Sequence, residues 1–501
     1  MFSAQVFSDL PFAALPDSVL TDPGLQTFYL STNGYTSGAD DSVADQYFDA
    51  RVQQALSFDR ALVGDARVGG LTRGQGELVL LNGDRLLDTL LDGFALDGRR
   101  VTVRHGRSAF SYDAFRTVFR GVMMGVVATR VDLRIEVRDN LDRLNIPIQT
   151  NNYAGTGGNE GGADLEGKPK PLCFGQVFNV PAVLVDAANN VYQVAAHQIN
   201  AVTAVRDRGV ALNAAPSGGA GLGEYEVDLS TGLITLGGAP DGQITADVQG
   251  HSSPSYATAT SDIVKRILES FGGFTADDMD LPSFADMASA QPATVGIWIG
   301  TEQRTIADIV DELLIGVGGF GAERRDGLFS VGVFTAPTGA ALALTDEDMS
   351  DLSREMLPGS FYPPAWRQQV GYQKNYTVQN DIAGSVAAAT RTAIANPYRI
   401  AAAATASVQL AHLLAPDPPY VLALFANAAD AEDEATRLNA LYSTTRSVYR
   451  FRLGRKGFGL NLNQVVHLTY PALGLDLGKY GRVIGLRDDA ASRDVEVTVF
   501  V

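Results

Sequence analysis

A chain of 501 residues, 46% hydrophobic and 19% charged, carries enough apolar material for roughly three to four packed domains. Its net charge of −18 argues against tight sequence-independent binding of nucleic acid, which needs clustered Lys and Arg. Its single cysteine excludes an intrachain disulfide and any zinc or iron–sulfur site built from several cysteines of one chain. The acidity serves solubility first, and is also compatible with a surface that nucleic acid slides past.

The opening residues, MFSAQVFSDLPFAALPD, lack a charged segment followed by an apolar one, so they do not read as a secretory signal. The chain is expected to be soluble and made in the cytoplasm. Its first 150 residues read mostly as strands. GELVLLNG (Gly76 to Gly83) and GRRVTVRHG (Gly98 to Gly106) are short strands, the second alternating at Val101 and Val103. FRTVFRGVMMGVV leads into RVDLRIEVRDN, where Val131, Leu133, Ile135 and Val137 fall on one face. Asp132, Arg134, Glu136 and Arg138 fall on the other, the period of a strand with one buried side.

Residues 151–167 form a Gly/Asn loop without hydrophobic period, a boundary or exposed connection. Within it GTGGNEGG (Gly155 to Gly162) is not GxxxxGK[ST], and it joins strand to strand rather than strand to helix, so it is not expected to cradle phosphate. In GKPKPLCFGQVFNV the prolines hold the entering chain extended, and Cys173, between Leu172 and Phe174, is expected to be a buried inert thiol. Short strands resume through PAVLVD, NVYQVA, GEYEVDLSTGLITLGG and GQITADVQG. The third of these predicts a hairpin linked by the two residues Thr231 and Gly232, with Glu226 and Asp228 pointing away from Tyr225, Val227 and Leu229.

A helix is predicted from near Ser261, with Ile263, Val264, Ile267, Leu268 and Phe271 as its apolar stripe and Gly272–Gly273 as its stop. Another follows Thr305, carrying Ile306, Ile309, Val310, Leu313 and Leu314 on one face. GLFSVGVF (Gly327 to Phe334) returns to a strand, and Pro358 to Asn380 is extended. The alanine-rich run that follows contains Pro397, Arg399 and His412 and is too interrupted for a membrane span. Asn427 to Arg446 reads as a helix, acidic early and basic late, as the helix dipole favours. The rest is β: SVYRFRLG, QVVHLTYPALGL, GRVIGLRDD and RDVEVTVFV. This end echoes the first region. In both, a strand with glycine beside an aromatic–Arg pair precedes a strongly alternating strand, which suggests two related small β-barrels separated by inserted domains.

No chemical motif stands out. The five histidines, His105, His197, His251, His412 and His467, show no metal-binding spacing. TDEDMSD (Thr345 to Asp351) lacks the ladder and closing Glu of a calcium loop and reads as a solvated turn. A GxSxG elbow is absent, and GHSSP (Gly250 to Pro254) sets His251 beside serines without making a triad. Two distant carboxylates could serve a glycosidase, but no sequence pattern pairs them. Catalytic, cofactor-binding and metal residues are therefore expected to be none, with no cofactor.

The ordered combination of five stretches resembles the hub group of tailed-bacteriophage tail-tip and baseplate proteins. They are ARVGGLTRGQGELVLLNGDRLLDTLLDGFALDGRRVTVRHG with FRGVMMGV and VDLRIEVRDN; GKPKPLCFGQVFNV; TIADIVDELLIGVGGFGAERRDGLFSVGVF; VGYQKNYTVQ; and GLNLNQVVHLTYPALGLDLGKYGRVIGLRDD with VEVTVFV. The resemblance spans most of the chain and is weakest over residues 181–255, which would decorate the hub and could contact a host surface. It implies a mainly β, multidomain chain with α+β insertions: a first hub barrel in residues 1–150, a Gly-rich linker and β-rich domain in 151–255, and a small α+β domain in 256–357. A connecting strand, Ala-rich segment and helix follow in 358–446. The second barrel is 447–501, with a strand from about 364–378.

The resemblance further implies a non-enzymatic homotrimer in the virion, whose two barrels per chain make a pseudo-sixfold ring. Such a ring adapts the sixfold tail tube to threefold tip proteins. Its partners would be distal tail and tail-tube proteins, the tape measure protein, and fibre or spike proteins, with DNA passing at infection without specific binding. The alternatives are a hexameric distal tail protein and a carbohydrate-binding or carbohydrate-hydrolysing tail component.

Overall fold

The computed structural model describes residues 2–7, 26–62, 69–92, 94–215, 219–357, 361–490 and 492–501. Most of the opening stretch read for a secretory signal lies outside these residues, as do the first three residues and Gly93 of the first resembling stretch and the start of the extended region from Pro358.

Alternating sequence in the first region becomes five antiparallel strands, β1 (Val52–Ala61), β2 (Gln75–Leu81), β3 (Arg100–His105), β4 (Arg116–Ala128) and β5 (Asp132–Arg138). Pairing runs β1–β2–β5–β4–β3. Leu133, Ile135 and Val137 are buried while Arg134, Glu136 and Arg138 are exposed, as a period of two demands. Val131 departs from that prediction: it precedes the strand and is 52% exposed.

The next sheet contains β6 (Leu172–Pro181), β7 (Ile199–Asp207) and β8 (Ile244–His251), with β8 between the other two. Strand Gly296–Ile299 adds to the free side of β6. The two backbones cross closely at Gly175, whose φ is +65° and where a Cβ would lie 2.0 Å from the Val295 carbonyl oxygen. A second, smaller sheet holds the predicted hairpin, Glu224–Asp228 against Leu233–Leu236. Its link is longer than the sequence suggested, running over residues 229–232, because Asp228 pairs with Leu233. The Asp228 carboxylate caps that turn, accepting from Ser230 N–H (2.9 Å), Ser230 Oγ (2.6 Å) and Thr231 Oγ1 (2.7 Å).

Helix α1 (Thr260–Ser270) forms where its apolar stripe predicts, burying Ile263, Val264, Ile267 and Leu268. Helix α2 (Leu281–Ala290) carries no expectation above; it buries Phe284 and Met287 and has a proline in its first turn. Helix α3 (Ile306–Gly316) begins at a capping box in which Thr305 Oγ1 accepts from Asp308 N–H (3.1 Å) and Asp308 accepts from Thr305 N–H (3.2 Å). These helices pack on a hairpin of β9 (Gly319–Glu323) and β10 (Phe329–Val333). The third strand of that sheet, Gly70–Leu71, is parallel to β9 and comes from the connection after β1, so the first region supplies part of the α+β unit.

Strand Arg367–Tyr372 lies in the region predicted as extended and pairs with Arg399–Ala404. The alanine-rich run holds that partner strand and two short helices, Ala388–Ala395 and Ala406–Ala411. Helix α4 (Ala428–Tyr442) lies inside the predicted 427–446. No helix among the described residues is long and apolar enough to cross a membrane.

The last strands, β11 (Val448–Leu453), β12 (Lys479–Asp489) and β13 (Asp494–Phe500), pair in the order β11–β13–β12. The echo seen in the sequence takes a definite form here. In each region a long strand, β4 with 13 residues or β12 with 11, pairs with a strand of 7, β5 or β13. In each the register shifts by a bulge in the long strand, next to Gly125 or Gly485.

The chain is mainly β and multidomain, as expected, but the two β units do not stand as separate closed barrels. Strand β12 pairs antiparallel with β1, from Gly485 opposite Ala61 to Asp489 opposite Ser57, and joins both units into one open sheet. Pairing the two edges satisfies a row of backbone groups that each unit alone would expose. One apolar core, with Leu56, Phe58, Leu133 and Ile135 from the first unit and Phe451, Leu486, Val495 and Val497 from the second, lies under the join.

Candidate functional site

The strand order of the inserted domain brings together three chemistry-bearing residues that sequence spacing kept apart. Cys173 is near the start of β6, His197 just before β7, and His251 at the end of β8, where it pairs with Ile199. The His197 and His251 ring centroids are 4.8 Å apart, and the Phe174 ring lies 5.7 and 5.6 Å from them. His197 Nε2 accepts from the Cys173 backbone N–H at 3.0 Å, and its Nδ1 lies 3.0 Å from the Gln198 carbonyl oxygen. One nitrogen must accept and the other must donate, so the ring is the neutral Nδ1–H tautomer.

Electrostatics hold this cluster in its neutral form. Burial pushes the Cys173 thiol well above its ordinary range, whereas a nucleophilic cysteine needs a stabilised thiolate. Burial also lowers His197 to about 4, so it has no proton to give near neutrality and no nitrogen free to take one. His251 is lowered by burial and then by Arg266, whose Nη1 lies 3.4 Å from His251 Nδ1 and also donates to the Ser255 carbonyl. Among the described residues no group of three His, Cys, Asp or Glu side chains could hold a metal.

The other histidines lie apart: His105 ends β3, His412 follows helix Ala406–Ala411, and His467 meets Tyr480 edge-on at 4.8 Å. The GTGGNEGG loop folds on itself. Gly157 N–H donates to the Gly161 carbonyl (2.7 Å), and Glu160 takes the Ala154 N–H (3.2 Å) and the Lys170 ammonium (2.6 Å), so these donors are engaged within the protein. In TDEDMSD, Asp348 caps Thr345 N–H at 3.3 Å and pairs with Lys456.

The residues that sequence reasoning missed form a joint of buried charge. Arg60 on β1, Arg325 in the β9–β10 connection and Asp488 on β12 have side chains only 7%, 7% and 1% exposed. Arg325 grips Asp488 with two parallel bonds, Nη2 to Oδ1 at 2.6 Å and Nε to Oδ2 at 3.0 Å, and also donates to the Leu460 carbonyl. Arg60 donates to the same Oδ2 and lies over the Phe58 ring, 5.1 Å from its centroid. One carboxylate thus ties the first β unit, the second β unit and the α+β unit. The phase of alternation is the signal that could have found it. Leu56, Phe58, Arg60 and Leu62 share one face of β1 and its extension, and Leu486 and Asp488 share one face of β12, so both charges stand in apolar register.

No protein-family model and no curated protein sequence matches the chain. Solved structures similar to it include a tail protein from Neisseria meningitidis MC58, 9% identical, covering 91% of this chain and 93% of that one at a TM-score of 0.38. The 43 kDa tail protein of prophage MuSo2 from Shewanella oneidensis is 10% identical, with 91% and 96% covered and a TM-score of 0.38. Prophage tail protein gp18 from Listeria monocytogenes EGD-e is 6% identical, with 93% of each chain covered and a TM-score of 0.39. Likenesses this loose decide nothing by themselves.

Proposed function

We propose that the chain is a non-enzymatic structural subunit of a bacteriophage tail tip, a hub protein that three copies build into a ring. Each copy contributes two similar β units, so the trimer presents six near-equivalent surfaces to a sixfold tail tube and three to tip proteins below. The observation that carries this reading is the pair of matched, bulged hairpins, β4–β5 and β12–β13, held in one sheet by the β1–β12 pairing. The ordered sequence resemblance supports it independently. The buried Cys173 thiol and the neutral His197 beside it support the non-enzymatic part of this reading.

In this role the protein resides in the virion tail. Its neighbours are distal tail and tail-tube proteins, the tape measure protein, and fibre or spike proteins, and DNA passes without being held. The net charge of −18 supports a wall that phosphate does not stick to. Native mass measurement of the purified chain, alone and with its tail partners, tests the proposal. Three copies per ring are expected. Six copies, or a strict monomer in the intact particle, would overturn it.

A further inference from the structure

Two more carboxylates lie beside the joint. Asp139 follows β5 and is 4% exposed; Glu323 ends β9 and is 5% exposed. Asp139 accepts from Gly74 N–H and from Leu141 N–H at 3.3 Å. Glu323 Oε2 accepts from Asn140 N–H at 3.0 Å and Asn140 Nδ2 at 3.1 Å. Both line one narrow crevice with Arg60, Thr72, Arg73 and Gly74, where the first β unit meets the α+β unit and no water fits.

The charges do not balance as written. Arg60 and Arg325 bring two positive charges into the buried joint, while Asp488, Asp139 and Glu323 bring three negative ones. The neighbouring ions are engaged at the rim. Asp142 takes Arg138 (3.2 Å) and Arg73 (3.8 Å), and Arg143 pairs with Asp278 (3.6 Å) while stacking on Phe274, 3.4 Å from its centroid. Arg324 holds Asp280 (2.9 Å) and Asp326 (3.0 Å), Asp311 accepts Leu71 N–H (2.7 Å), and Arg100 faces Arg143 from β3. Arg73 and Arg143 act on Asp139 and Glu323 only from that rim, and an extra charge on side chains this deeply buried is costly.

We propose that Asp139 and Glu323 hold one proton between them near neutral pH, which brings the buried joint to zero net charge, and that losing this proton loosens the seam between the first β unit and the α+β unit. Burial acts in this direction on both groups, and the charge of Asp139 adds to it at Glu323. Burial is the largest influence on each; it raises Asp139 to about 6 and, with Asp139 beside it, Glu323 well above its ordinary range. Because the folded state holds the proton more tightly than the unfolded chain, the seam's stability is fully present below the ordinary carboxylate range. It is lost as pH rises through about 6 and beyond.

Hydrogen exchange of the whole chain tests this, read at Thr72, whose N–H donates to the Gly321 carbonyl at 2.8 Å, and at Gly74 and Asn140. Protection at these amides, corrected for intrinsic rates, should fall about tenfold or more from about pH 5 to about pH 8, while amides of β13 hold. Glu323→Gln keeps an oxygen for Asn140 and removes one of the two carboxyls, so its seam protection should fall less steeply with pH than the wild type's. A level wild-type profile, or a Glu323→Gln profile as steep as the wild type's, would overturn the proposal. Infrared spectra of the wild type give a readout that needs no variant. A protonated-carboxyl stretch should persist at about pH 7, where ordinary Asp and Glu are ionised, and its absence would sink the proposal.

Discussion

Around Cys173 the buried polar groups are neutral, whereas around Asp488 they are charged, and the two clusters answer to pH with opposite signs. Both are assembled by strand pairing from residues distant in sequence. In the first, burial strips the proton from an imidazole and keeps it on a thiol, so neither group carries charge. In the second, guanidinium groups cannot give up their protons, so the carboxylates must adjust. One site thus removes its charge by neutralising each group, and the other by pairing ions across three units. The first arrangement suits the interior of one domain. The second makes a joint, because every partner needs the others in place.

The largest effect expected from breaking that contrast is at Asp488. Asp488→Ala leaves Arg60 and Arg325 buried without their shared anion, and should cost about 3–5 kcal/mol in urea denaturation. Replacing all three at once by apolar residues of similar size should cost far less, because no orphaned charge remains. If the single change costs under about 1 kcal/mol, the joint is no more than a surface ion pair.

A smaller effect separates the clusters by pH. The unfolded His197 imidazole takes up a proton near 6.5 but the folded one not until about 4. Between these values the unfolded chain binds more protons, so this contribution is present above pH 6.5 and lost as pH falls to about 4. His197→Gln offers Cys173 N–H an oxygen that does not titrate. The difference in denaturation midpoint between wild type and variant should therefore change across this window and stay constant above it. A constant difference throughout would mean that His197 is already as solvated as in the unfolded chain. The Asp139–Glu323 pair changes stability in the opposite direction over an overlapping window, so the His197→Gln and Glu323→Gln variants, each compared with the wild type, separate the two contributions.

How much of this was legible depends on whether the information was local. Helices α1 and α3 are announced by apolar spacing, and α3 also by the Thr305–Asp308 box, since cap and stripe both lie within one segment. The alternation of β5 is equally local. The union of the two β units is not. It rests on β1 pairing with β12, and Arg60 reaches a carboxylate 428 residues away. Strand periodicity states which face is buried but not which edge it meets. Helix α2 was missed because Leu281, Phe284 and Met287 make only a short stripe, of which Leu281 stays 38% exposed. Arg60 adjoins the exposed Asp59 and Asp488 adjoins the exposed Arg487, and only their phase distinguishes the buried charges. The Cys173 cluster was hidden because His197 and His251 reach it across strands rather than through a motif.

The smallest effect belongs to Cys173 itself. Cys173→Ala removes one sulfur from a core that includes Val177, Val205 and Val248, and should cost about 1 kcal/mol, the scale of a small cavity. The backbone N–H bond to His197 survives this change, so the acid limb of stability should be unaltered. Cys173→Ser should cost more than alanine despite its closer shape, because it buries a hydroxyl among apolar neighbours. In the native chain the thiol should resist alkylation near neutral pH and react only as fast as the protein opens. If it instead reacts at the rate of a free thiol while the fold is intact, the cluster is open to solvent. The contrast between a closed neutral core and a charged joint would then fail at its neutral end.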